Sequence, residues 1–168
     1  MALNDITIYD EGAFGYPGEI TYKVAASATL IYPGEPVAKA LGAYVVTPSA
    51  TTEPTVADGD LMCGIAASTS TNTASAVGYV NVMKLDPRVT YLCAPTTAAS
   101  WDTQAEYDLL VGDRVVLALS SGTYTVGATD NAAYGLVVEP LDISKYPGKV
   151  RFSIRPAATY LGFATGLT

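Results

Sequence analysis

Histidine is missing from this 168-residue chain altogether. That single absence removes the commonest general base, the usual zinc ligand and both the Ser-His and Cys-His nucleophile pairs. There is also no Gly-x-Ser-x-Gly elbow, no phosphate-cradling G-x-x-x-x-G-K-[ST] loop and no G-x-G-x-x-G fingerprint, so nucleotide and acyl-transfer chemistry have no foothold. No catalytic residue, metal or cofactor is assigned, and a non-enzymatic protein is expected. Positive charge is scarce: 9 Lys and Arg stand against 16 Asp and Glu, for a net charge of -7. A chain that tracks nucleic-acid phosphates needs clustered cations, so a nucleic-acid partner is set aside. Charged residues of both signs make up only 15% against 49% hydrophobic, and the mean hydropathy is +0.26. With so little polar surface, part of the exterior is expected to be covered by a partner.

Long apolar runs are absent too. Nothing approaches the 18 or more residues of a membrane helix, and Met1 to Asp10 lacks a basic stretch followed by an apolar core, so the chain reads as soluble and unprocessed, with no membrane partner. There are two cysteines, Cys63 and Cys93, each in an apolar strand-like run without partner ligands; buried free thiols are the expectation and a disulfide between them the alternative.

What the sequence does contain is β-forming and turn-forming. Twelve Tyr with frequent Thr and Val favour strands, while ten Pro and fifteen Gly interrupt the chain too often for long helices. Tyr-Pro-Gly occurs three times, at Tyr16, Tyr32 and Tyr146; Pro presets φ and Gly accepts a positive φ, which reads as a type II turn followed by a strand. Ile20, Tyr22 and Val24, and again Val150, Phe152 and Ile154, alternate with more polar neighbours, so both stretches read as half-buried strands. A longer repeat, G-[ED]-x-V-x-x-A-L, begins at Gly34 and at Gly112. Each copy is followed by a loop, a Gly-led apolar strand (from Gly64 and from Gly135) and a further strand. Two copies are too few for a solenoid. The expectation is an all-β fold: one small β-barrel or sandwich over residues 20–156 with a pseudo-twofold internal repeat, flanked by arms at 1–19 and 157–168, with at most one short helix. That helix is placed between Thr96 and Leu110, where Thr103 and Glu106 have capping-box spacing. Thr47–Val56 and Ser68–Ala76 read as exposed loops.

Few residues compete for a chemical role. Asp102, Glu106 and Asp108 form the densest acidic cluster and could in principle hydrolyse a glycoside, but Glu106 is better explained as a helix cap. Asp58-Gly59-Asp60 lacks the remainder of a calcium loop and reads as a turn. Lys145, Lys149, Arg151 and Arg155 place four of the nine cations within eleven positions, either a solvated strand face or a docking stripe for an acidic surface. Trp101, the one tryptophan, is open to two readings: a sugar-stacking platform or interface anchor, and core packing.

The ordered set G-[ED]-x-V, loop, G-I-A, strand, connector, G-D-x-V, loop, G-L-V and closing V-x-F-x-I-x-P, from Gly34 to Pro156, resembles the capsid cement (decoration) proteins of tailed bacteriophages. The resemblance implies a small β-barrel on the outer face of a major capsid protein lattice, self-associated as a trimer or another small oligomer and located on the virion after synthesis in the host cytoplasm. It transfers no catalytic residue. The aromatic N-terminal stretch and the uncharged C-terminal stretch lie outside the match and read as docking arms, with Tyr9, Phe14, Tyr16, Tyr160, Leu161 and Phe163 as partner contacts and Lys149, Arg151 and Arg155 as a basic stripe. The alternative expectation is a host-surface or carbohydrate-binding fibre or adhesin module.

Overall fold

The computed structural model describes residues 6–10, 18–40, 44–45, 60–120 and 123–156. Among the described residues the chain is all-β with one short α-helix. Its strands are β1 (Thr7–Asp10), β2 (Glu19–Val24), β3 (Pro36–Ala40), β4 (Asp60–Ala66), β5 (Gly78–Lys84) and β6 (Thr90–Pro95). After the helix α1 (Gln104–Leu110) come β7 (Arg114–Val115), β8 (Leu117–Ser120), β9 (Thr123–Val126), β10 (Leu136–Val138) and β11 (Val150–Ile154). None of the described helices is long and apolar enough to cross a membrane.

The strands form two sheets, ordered β2-β5-β4-β3 and β7-β10-β11-β6-β9-β8. In the second sheet β7 and β8 are neighbours in sequence, parted only by Val116; because β7 pairs with β10 and β8 with β9, the path returns on itself as a small barrel. The first four strands of that path, read as β6-β11-β10-β7, repeat the order β2-β5-β4-β3 of the first sheet. The repeat in the sequence is therefore a repeat in space.

Matching backbone hydrogen bonds fix its register. Gly34 N–H donates to Ala66 O and Ala66 N–H to Glu35 O; in the second copy Gly112 N–H donates to Val138 O and Val138 N–H to Asp113 O. Ala67 N–H donates to Asn81 O as Glu139 N–H does to Arg151 O. Gly34 and Gly112 hold φ of 87° and 93°, and Val111 before Gly112 has φ -63° and ψ 125°. These are type II turn angles, closed by Glu35 N–H to Tyr32 O and Asp113 N–H to Leu110 O. The second copy thus makes the turn without proline. Since Ala66 matches Val138, Gly64 stands opposite Leu136 in the repeat, and the two strand-leading glycines of the sequence are one residue out of step. Gly64 answers a local need instead: a Cβ there would overlap the Met83 carbonyl oxygen and Val82 Cγ1.

Gly64 also sits at a bulge. Pairing of β3 with β4 passes from Val37↔Gly64 to Ala38↔Met62, skipping Cys63. The extra residue puts Met62 and Ile65 on one face and Cys63 and Ala66 on the other, so β4 is buried on both sides. Met62 and Ile65 enter the larger core with Tyr91, Tyr107, Leu136 and Phe152, while Cys63 and Ala66 enter the smaller one with Val24, Ile31, Val37 and Val82.

Two expectations change. The stretch 1–19, read as a docking arm, contains β1: Thr7 pairs with Leu92 and Ile8 with Tyr91, and Ile6 is buried in the larger core. Ile6 ahead of the strand formers Thr7, Ile8 and Tyr9 suffices when an edge is waiting. The loop 68–76 is exposed along Thr73–Ala76 but not throughout. Ser70 and Asn72 are buried: Ser70 Oγ accepts from Ile31 N–H (2.9 Å) and donates to Asn72 Oδ1 (2.7 Å), and Asn72 Nδ2 donates to Ala28 O (2.8 Å). Polar side chains here replace a strand partner for residues 27–31. The stretch Thr47–Val56 and the pair Asp58-Gly59 lie outside the described residues.

Candidate functional site

The basic stripe on β11 is already occupied from within. Arg151 donates through Nε to Thr90 Oγ1 (3.1 Å) and through Nη1 to Pro140 O (3.1 Å), and its guanidinium carbon lies 4.4 Å from the Tyr9 ring centre. Arg155 Nη1 donates to Ala132 O (2.9 Å) and Tyr134 O (3.0 Å), and Lys145 pairs with Asp142 at 3.2 Å. Lys149 is half-buried at the start of the strand. Arg151 and Arg155 therefore fasten β1 and the 132–142 segment to the barrel, while Lys145 stays on a solvated face beside Asp142. Tyr9 is part of the same fastening, edge-on to Tyr146 with ring centres 5.1 Å apart. Tyr9, expected as an arm contact, is engaged here by its own chain. Phe14, Tyr16, Tyr160, Leu161 and Phe163 lie outside the described residues.

The acidic cluster caps α1. Thr103 Oγ1 accepts from Glu106 N–H at 3.2 Å while a Glu106 carboxylate oxygen accepts from Thr103 N–H, closing the capping box. Asp102 shares a hydrogen bond with Glu106, which raises the Asp102 carboxyl above its ordinary value and, with Thr103, holds Glu106 below its own. Asp108 accepts from Gln104 Nε2 (2.7 Å). Among the described residues no group of three or more His, Cys, Asp and Glu side chains comes together to hold a metal ion.

Trp101 is 4% exposed, and its ring meets Tyr107 edge-on at 5.6 Å. Core packing wins over the open stacking platform. The indole edges a cavity of 280 Å³ walled by Pro95, Ile143, Pro147 and Asp102. Cys63 and Cys93 are buried and form no disulfide. Burial pushes the Cys63 thiol up to about 12, and Cys93 Sγ lies 3.2 Å from Tyr124 O.

One exposed surface went unremarked in the sequence. Lys23 pairs with Tyr79 across β2 and β5, and the parallel bridge Val24↔Val45 sets Tyr44 beside Lys23 on the other side. Val24, Val45 and Val80 point inward at no more than 1% exposure, so Tyr44 (45%), Lys23 and Tyr79 (51%) form an outward row across three adjacent segments. The period-two pattern of Tyr79-Val80-Asn81-Val82 carried half of that signal; the position of Tyr44 depends on a contact between distant residues. Comparison with protein-family models, with curated proteins and with solved structures finds no match for the chain.

Proposed function

We propose that this chain is a non-enzymatic structural protein of a virion, a capsid decoration (cement) protein that binds the outside of the major capsid protein lattice and stabilises it, self-associated as a trimer or other small oligomer. The observation that carries this reading is the doubled β-unit. The paired Gly-acid-x-Val layout on which the resemblance to phage cement proteins rests is built as two sheets of one strand order with twin turns. The apolar composition supports it as well, because a chain with few charged residues leaves apolar surface for a partner to cover. Shell contact is assigned to Phe14, Tyr16, Tyr160, Leu161 and Phe163, each worth ~1.5 to 3 kcal/mol when buried, before ordering costs. Tyr9, Arg151 and Arg155 are left out, since their own chain engages them. The test is co-sedimentation with shells assembled from major capsid protein, at low and high salt. Saturable binding at a fixed ratio, surviving salt because the contacts are uncharged, is expected. Shells that pellet without the protein overturn the reading.

A second reading, a host-surface or carbohydrate-binding module, is favoured by the outward row of Tyr44, Lys23 and Tyr79. Two tyrosine faces flanking an ammonium group suit a sugar ring bearing a carboxylate. A glycan screen whose signal disappears on Tyr79→Ala supports this reading; no signal from the parent chain removes it.

A further inference from the structure

The two copies of the repeat differ in one respect that points to a partner. On β6, the edge facing away from β11 is shared: β9 runs parallel to Ala94 and Pro95, and β1 fills the other half at Thr90–Leu92. In the first copy β2 takes the place of β6. Val82 matches Phe152, and their partners Ile20 and Tyr91 therefore match, which sets Glu19 opposite Thr90, Thr21 opposite Leu92 and Val24 opposite Pro95. The bridge Val24↔Val45 stands where Pro95↔Val126 stands in the second copy. Nothing among the described residues stands where β1 does.

The edge is presented for pairing. Lys84 N–H donates to Gly18 O, so residues 18, 20 and 22 direct their backbone groups to β5; Val45 N–H donates to Lys23 O, so residues 19, 21 and 23 direct theirs outward. Glu19 and Thr21 are exposed, and their outward N–H and C=O groups have no strand partner among the described residues. Side chains agree with the backbone. Tyr91, lying under β1 in the filled copy, is 0% exposed, whereas its counterpart Ile20 is only half-buried.

We propose that the Glu19–Thr21 edge of β2 is a strand-acceptor slot, and that its occupant is the C-terminal segment 157–168 of a second copy of this chain. The twin slot shows what the site takes: a short extended segment from outside the repeat, held by backbone pairing. Residues 157–168 carry no charge, and include Tyr160, Leu161 and Phe163, which suits an edge flanked by one acid and one base, Glu19 and Lys23. Four residues fill the twin slot. As many taken from the twelve beyond Pro156 leave eight as a tether, reaching roughly 26 Å when extended. The tail leaves from β11, in the second copy of the repeat, and the slot lies on β2, in the first; in the proposed assembly donation runs from one molecule to the next. Strand addition of this kind gives affinity through main-chain hydrogen bonds and order through the repeated slot. The inference rests on the self-association half of the proposed function and moves Tyr160, Leu161 and Phe163 from the shell to a neighbouring copy, leaving Phe14 and Tyr16 for the shell contact that the co-sedimentation assay measures separately.

The test is sedimentation velocity of the full chain over a concentration series, with hydrogen exchange at Thr21. Concentration-dependent oligomers with a protected Thr21 amide are expected, and free peptide 157–168 should dissociate them. Thr21→Pro removes an outward N–H while leaving the β5 pairing intact; it should weaken association at least about tenfold, the effect of one or two lost hydrogen bonds. Glu19→Pro serves as the second variant should Thr21→Pro alter the circular dichroism. A chain monomeric at every concentration, or oligomers that survive both the proline variants and removal of 157–168, overturns the proposal. Thr21 protected in a monomer overturns donation between molecules, because the tail then folds back on its own chain.

Discussion

At the residue scale, the side chain with the most dependants is Tyr107. Its ring is buried in the larger core, and its hydroxyl donates to Glu139 O (2.9 Å) while accepting from Arg151 N–H (2.9 Å). It thereby joins α1 to the ends of β10 and β11, and burial pushes the phenol up to about 12, so it stays protonated as a donor through the neutral range. Tyr107→Phe leaves a partly buried N–H and a partly buried C=O unmatched. The expected loss is about 1–3 kcal/mol, read as a lower denaturant midpoint at unchanged slope; a midpoint equal to that of the parent would show that water replaces the hydroxyl. Some of this was legible. Thr103 and Glu106 announced the helix start by their spacing, because a capping box is a local device whose partners lie within one turn. The role of Tyr107 was not, since its partners lie 32 and 44 residues away and no local pattern encodes them.

At the element scale, β1 is the piece whose attachment depends most on side chains. It has few backbone pairs, broken between Ile8 and Asp10, and is otherwise held by Ile6 in the core and by Arg151 against Tyr9. Arg151→Ala removes the stacked guanidinium and its bond to Thr90. Amides of Thr7–Asp10 should then exchange faster by about tenfold, a cation–π contact and one hydrogen bond being of that order, with β10 and β11 changed much less. Uniform acceleration would instead place Arg151 in the global fold. A second element-scale prediction concerns acid. Asp130 accepts from the Arg114 side chain and from its backbone N–H (2.8 Å), and these bonds hold its carboxyl below the ordinary 3.8. Asp86, bonded to Arg88, and Asp142, bonded to Ser144 and Lys145, are lowered in the same direction. A lowered carboxyl contributes stability above its unfolded value and loses it as pH falls through the folded one. The thermal midpoint should therefore stay level near neutrality and decline below pH 3.8, and Asp130→Asn should flatten part of that decline; both groups are exposed, so the effect is small. Strands such as β11 were legible because Val150, Phe152 and Ile154 alternate cleanly. β1 was not, because its burial follows from a vacancy on β6 rather than from any periodicity of its own.

At the scale of the whole molecule, the repeat was readable from the two G-[ED]-x-V-x-x-A-L stretches, whose turns need a glycine at positive φ wherever the chain reverses. The division of the core was not readable. It follows from the bulge at Cys63 and Gly64, which sends Met62 and Ile65 one way and Cys63 and Ala66 the other; a sequence shows only one continuous apolar run there. That shared wall decides how the molecule unfolds. Were the two copies independent, the smaller core, with fewer large side chains, would open first. With β4 common to both, opening either core strips one face of a strand that also walls the other, and a single transition is expected. The chain supplies its own reporters: Trp101, the one tryptophan, lies in the larger core, and Cys63 lies in the smaller. In a Cys93→Ala background, which leaves Cys63 as the sole thiol, tryptophan fluorescence and brief thiol labelling are followed through the same urea series. Coincident midpoints are the outcome expected of a shared strand, with Cys63 unreactive in the native state because burial holds its thiol near 12. A thiol that becomes reactive at lower urea than the fluorescence change would mean that the first copy opens alone, and that β4 stays with the larger core when it does.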